Sequence, residues 1–240
     1  MRYPLVTMLL LLLPFTSAAE SLHVAVGSSL APYVIEENNT GAELDIVREA
    51  LALQGHDIMP EYVPYGRVNG LLLQARVDAA LTLPSEGEEE GIFFSDEYIT
   101  YHNVVLALAF EGFAIHTLDD MVNYRVLAFQ NAARLLGPEF GHMASNNIHY
   151  SETTRQHSQV DMLFSERIEL VVMDRYIFNY YRAQAGREST ERPVSVFELF
   201  PPVSYRIGFR NPALRDDFNA GLQQLRQSGR YQAILDQYLQ

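Results

Sequence analysis

Short apolar runs of strand length alternate along this chain with segments whose apolar residues recur at helical spacing, and that alternation restricts the fold more than any other feature. "LHVAVG" (22–27) reads as a strand ending in a Gly-Ser-Ser turn. "GAELDIVREALALQG" carries Leu44, Val47 and Leu51 on one helical face, with Gly55 placed to end the helix. A strand near 58–63 follows, then a helix with Val68, Leu71, Leu72 and Ala75 on one face, then a strand at 78–83. Such a succession is the pattern of an α/β fold, a sheet covered by helices.

The second half repeats the theme. "NVVLALAF" (103–110) is a long apolar strand, followed by polar "HTLDDMVN" and a short strand "RVLAF". A helix is expected from Ala132, another around 156–165, and the buried strand "IELVVM" ends at Met173. "SYRIGF" reads as a further strand. Two helices follow it, one with Leu214, Phe218, Leu222 and Leu225, the other with Tyr231, Ile234, Leu235 and Tyr238. There is no internal repeat and no low-complexity linker.

Arg2, the apolar run Leu5–Phe15 and the small residues Ser17-Ala18-Ala19 have the form of an export signal cleaved after Ala19. The alternative is an uncleaved anchor, for which the run is short and broken by Pro14. Cleavage leaves 20–240, enough for one large domain or two lobes of about 100 residues each, soluble in the periplasm. A formal net charge of −13 argues against nucleic acid as a partner. With no cysteine, disulfides, thiolate metal sites and a lipid-modified cysteine are excluded. The 7 histidines form no tight i,i+4 pair, so neither metal nor other cofactor is expected. No nucleophile elbow points to a hydrolase.

Several phrases, in order, resemble the bacterial extracellular solute-binding proteins of family 3, the polar amino-acid type. They are "LHVAVGSSLAPY", "GAELDIVREAL", "ARVDAALTLP", "FFSDEY", "TLDDMVNYRVLAFQNA", "IELVVMD" and "YRIGFRNPALRDDFNAGLQQLRQSGRYQAILDQY". The resemblance implies a two-lobed periplasmic binding protein fold of type II, with a ligand cleft between the lobes and two hinge-strand crossings. Lobe 1 would comprise 20–106 and 206–240, lobe 2 would comprise 107–205, and the crossings would fall near 103–110 and 201–207. It implies a non-enzymatic monomer that passes a small polar ligand, an amino acid or related amine, to the membrane permease of an ABC importer. A dehydratase-like enzyme on the same scaffold and a receptor that presents ligand to a membrane sensor are the alternatives.

Amino-acid-binding members carry an arginine shortly before the FSD motif that grips the ligand carboxylate. Here Glu90 or its neighbours stand in that place. Locally, Ser85 and Glu88 fit a capping box, so the acidic run 86–90 is expected to start a solvated helix; contact with a cationic ligand, metal binding and general-acid chemistry are the alternatives. The expected ligand-binding residues are Leu30, Tyr33, Tyr65, Arg67, Thr82, Ser85, Gln130, Asn131, Arg134 and Asp174. Leu30, Tyr33 and Tyr65 would wall the cleft. Arg67, set against the dipole of a helix start, would grip a carboxylate. Thr82 and Ser85 flank a strand's carboxyl end. Gln130, Asn131 and Arg134 surround free N–H groups that suit an anion. By the resemblance, Asp174 would take a ligand ammonium. Asn131 and Asp174 could equally be caps, Arg67 a partner in a surface salt bridge, and Leu30 and Tyr33 ordinary core.

Overall fold

A computed structural model describes residues 21–84 and 89–240. The expected signal at 1–19, and Ser85 with its expected capping partner Glu88, lie outside the described residues.

The chain first builds β1 (Ser21–Gly27), α1 (Ala42–Ala52), β2 (Asp57–Val63), α2 (Val68–Leu73), β3 (Ala79–Pro84), β4 (Phe93–Phe94) and β5 (Ile99–Tyr101). It then forms β6 (Asn103–Leu108), β7 (Val126–Phe129), α3 (Ala132–Leu135), α4 (Pro138–Asn146), β8 (Tyr150–Thr153) and α5 (Gln156–Phe164). Next come β9 (Leu170–Asp174), α6 (Arg175–Gln184), α7 (Arg187–Glu191) and β10 (Val194–Phe197), and last β11 (Val203–Phe209), α8 (Pro212–Ser228) and α9 (Arg230–Tyr238).

Two sheets result, one per lobe. The first runs β2-β1-β3-β11-β4, with β5 also on β11, and the second runs β10-β6-β9-β7-β8. In the first, β1 is parallel to β2 and β3, and β11 returns antiparallel to β3. In the second, β7 is parallel to β8 and β9, while β6 is antiparallel to β9 and β10. The chain changes sheet at His102, between β5 and β6, and returns between β10 and β11. Asn103 to Leu106 lie in the second sheet, because β6 pairs with β9 from Asn103 onward.

Strand alternation places the cores. On β6, Val104 and Leu106 join a cluster that also takes in α1, α8 and α6, while Val105 and Ala107 face the opposite cluster with Phe140 and Met143 of α4. On β9, Val171 and Met173 split from Leu170 and Val172 in the same way, the period of two of a strand covered on both faces. A third cluster lies between the first sheet and α2, with Val68, Leu71 and Leu72.

Two glycines make the scaffold possible. Gly41 precedes α1 at φ +127°, and a Cβ there would meet the Tyr33 carbonyl oxygen at 2.4 Å. The close approach lets Pro32 O and Tyr33 O accept the N–H groups of Ala42 and Glu43, both at 3.0 Å, which turns Glu43 inward. Gly221 of α8 lies so near α1 that a Cβ would stand 2.0 Å from Ala50 O. Gly55, at φ +85°, closes the end of α1 as expected, with its N–H on Ala52 O at 3.0 Å and that of His56 on Leu51 O at 3.1 Å. The helix start expected at 85–88 lies outside the described residues; after it, Glu89 opens a turn, closed by the Ile92 N–H on Glu89 O at 3.1 Å.

Candidate functional site

The carboxyl ends of β1, β3, β7, β8 and β9 converge on one cavity between the lobes, the place where open α/β sheets bind ligands. Leu30, Tyr65 and Thr82 line it from the first lobe; Phe129, Gln130 and Asp174 line it from the second. Tyr101 and Tyr205 add aromatic surface on the first lobe's side. About 30 Å³ inside is open to the centres of water-sized molecules, room for about two waters.

Thr82 organises the first lobe's side. Leu81 and Thr82 together oppose the single residue Ile207 of β11, a bulge, and Thr82 takes φ +57°. β-Branched residues rarely enter this region. Each polar group of Thr82 is engaged by a side chain: its N–H donates to the Tyr98 hydroxyl at 3.1 Å and its carbonyl accepts from the Tyr65 hydroxyl at 2.9 Å. Its own hydroxyl donates to Glu43 Oε1 at 2.6 Å. Glu43, fully buried, also accepts from the hydroxyls of Tyr98 and Tyr101, the latter at 2.8 Å. Burial raises the Glu43 pKa, and the three hydroxyl bonds oppose the rise.

Asp174 ends β9 and is 1% exposed. Oδ1 accepts the N–H groups of Tyr176 at 2.8 Å and Ile177 at 3.1 Å, capping α6. Oδ2 accepts the His102 N–H at 2.6 Å and the Tyr33 hydroxyl at 3.1 Å. Burial pushes its pKa up to about 6 despite these four donors. Asp174 is thus a cap, and its charge still borders the cavity.

Of the buried amide atoms without a partner among the described residues, two belong to side chains at this cavity: Asn103 Nδ2 and Gln156 Oε1. Both side chains line the cavity, and the residues are 4% and 6% exposed. A buried polar atom without a partner is costly, so these two atoms mark where a bound molecule would form bonds.

The lobes also touch directly. The Gln156 backbone N–H donates to Ser29 Oγ at 3.0 Å and Gln156 Nε2 donates to Ser29 O at 3.2 Å. The Gly66 N–H donates to Gln130 Oε1 at 3.0 Å.

Of the expected site residues, Leu30, Tyr65, Thr82, Gln130 and Asp174 meet at this cavity. Tyr33 is fully buried behind the wall, stacked on Tyr101 with centroids 3.9 Å apart. Asn131 and Arg134 line a neighbouring chamber beyond Tyr65, together with Asn69 and Glu89. Arg67 is exposed and lines neither space. It stands at the start of α2, with Val68 rather than Arg67 turned inward. The N–H groups expected to receive an anion are filled from within: Asn131 N donates to Glu152 Oε2 at 2.6 Å and Ala133 N to Glu152 Oε1 at 3.0 Å. The Asn131 side chain makes no capping bond.

Sequence reasoning missed Glu43, Tyr101, Asn103, Gln156 and Tyr205. Glu43 had a signal, since it shares the stripe of Val47 and Ala50 on α1. Asn103 opens an apolar strand and Gln156 opens a helix, positions where polar residues are ordinary.

Among the described residues, no helix is long and apolar enough to cross a membrane, and no cluster of side chains suits a metal ion. The family model of the bacterial extracellular solute-binding proteins, family 3, matches residues 22–240. No curated protein sequence matches. Among solved structures, an ancestral arginine-binding protein bound to arginine is similar at TM-score 0.76 and 18% identity, covering 93% of this chain and 100% of that one. A histidine kinase sensor domain with similarity to periplasmic binding proteins aligns at TM-score 0.76 and 17% identity, over 92% of this chain and 97% of that one. An ABC uptake transporter substrate-binding protein from Streptococcus pneumoniae with bound histidine aligns at TM-score 0.73 and 16% identity, over 91% and 92%. At these identities the likeness shows the fold, the two-lobed type II arrangement.

Proposed function

Because the chain belongs to the bacterial extracellular solute-binding proteins, family 3, we propose that it captures a small polar ligand, an amino acid or related amine, between its lobes and delivers it to the membrane permease of an ABC importer. On this reading it works as a periplasmic monomer after removal of 1–19, and it returns its ligand unchanged. The observation that carries the reading is the cavity between the lobes, with the unpartnered atoms Asn103 Nδ2 and Gln156 Oε1. The neighbouring aromatic walls suit an alkyl or ammonium group.

The buried acids Glu43 and Asp174, both with raised pKa values, favour a second reading as an enzyme. Against it, every oxygen of the two carboxylates already accepts a bond from the protein.

A thermal-shift screen with amino acids, amines and organic acids tests the proposal. Binding to the native state alone adds about 2.7 kcal/mol at a hundredfold excess over Kd. A ligand that raises the melting temperature and is recovered intact supports solute binding. Conversion of that ligand on prolonged incubation would establish the enzyme instead.

A further inference from the structure

We propose that this cleft selects a small organic amine or ammonium ion that carries no carboxylate. The inference rests on the solute-binding reading and narrows its ligand class.

Three observations converge. First, no arginine, lysine or histidine lines the cavity. The sequence contains no lysine, and residues 85–88, Ser-Glu-Gly-Glu, supply no cation either. Arg67 is exposed outside both spaces, and Arg134 stands beyond Tyr65 in a chamber that it shares with Glu89.

Second, the N–H groups that could replace a cation are already taken. Glu152 occupies those of Asn131 and Ala133 with its two oxygens, and the Tyr150 hydroxyl holds Glu152 Oε1 at 2.7 Å. The protein carries its own carboxylate at that place.

Third, the charges that border the cavity are negative. Asp174 lines it, and Glu43 stands one hydroxyl behind Tyr101 and Thr82. A ligand carboxylate buried here would face two acids and find only neutral donors, chiefly Asn103 Nδ2. An unpaired charge in such a site is strongly disfavoured. An amine gains from the same surroundings. Gln156 Oε1 is free to accept its N–H, and the faces of Tyr101 and Tyr205 attract a cation.

Matched pairs that differ only by a carboxylate provide the test: agmatine and arginine, putrescine and ornithine, ethanolamine and serine, tyramine and tyrosine. Calorimetry on the full mature chain should show the best-binding amine ahead of its parent amino acid by at least about tenfold, a modest share of the penalty for a buried unpaired charge. An amino acid that outbinds its amine overturns the inference and leaves the solute-binding reading standing. If neither series nor any organic acid binds, both fall. Glu152→Ala empties the two N–H groups, so it should narrow the gap between acid and amine. An unchanged ratio in E152A, with a normal melting curve, would overturn the role given to Glu152.

Discussion

Thr82 holds a backbone conformation that its side chain disfavours, and it is held there by bonds to Tyr65, Tyr98 and Glu43. Backbone strain of this kind persists where the surroundings over-determine it, commonly at ligand sites. The bulge was invisible in "ALTLP", because positive φ at a threonine has no compositional mark. Glu43 is the hub of the arrangement. Glu43→Ala would strand the hydroxyls of Thr82, Tyr98 and Tyr101, each at about 1–3 kcal/mol. Chemical denaturation should therefore show a loss of at least about 3 kcal/mol, and Glu43→Gln, which keeps one acceptor oxygen, should lose less. An alanine variant as stable as the parent would show that these hydroxyls find other partners.

Asp174 allows a pH prediction of definite sign. Its pKa is about 6 in the folded protein against 3.8 for an ordinary aspartate. Between those values the folded state holds more protons than the unfolded state, so this group's contribution to stability falls as pH rises through the window and is level above it. The change amounts to about 3 kcal/mol. Measured from pH 3.5 to 7.5, the stability of the parent relative to Asp174→Asn should fall by that order. A difference independent of pH would assign Asp174 an ordinary carboxylate value.

At the scale of elements, the strands and helices with strong periodicity were legible: β1, α1, β9 and α8 fall within a few residues of expectation. Missed elements were those whose pattern tertiary packing overrides. β8, with the burial pattern ieei, is an edge strand with little apolar content. α4 mixes glycine, histidine and asparagine with only Phe140, Met143 and Ala144 buried. Of the acidic run only Glu89 and Glu90 are described, and there the chain turns to reach β4. Two glycines test how tightly elements meet. Gly221→Ala drives a methyl against the Ala50 backbone and should lower stability by about 1–3 kcal/mol. Gly70→Ala in α2 meets only Gln74 Nε2, at 3.8 Å, and should raise it by about 0.5–1 kcal/mol through helix propensity and lost unfolded-state freedom. Urea unfolding of both variants decides, and equal effects would contradict the packing described for α1 and α8.

For the whole molecule, the two-lobed plan was readable from the order of its motifs. The state of closure was not, because it depends on contacts between distant residues. A ligand bound in a cavity between two lobes is expected to enter as the lobes part, a hinge motion about the two crossings. Cysteines at 66 and 130, joined by a short thiol-reactive linker, would tie the lobes where the Gly66 N–H now meets Gln130. The chain has no other cysteine to interfere. The linked protein should lose ligand uptake, and a cleavable linker should restore it on cutting. Undiminished uptake by the linked form would show a route that needs no opening.

The bonds from Gln156 to Ser29 and from Gly66 to Gln130 run from protein to protein, so they are common to every solute the cleft accepts. Their strength adds equally to the retention of each one, and discrimination between solutes is left to the groups that line the cavity.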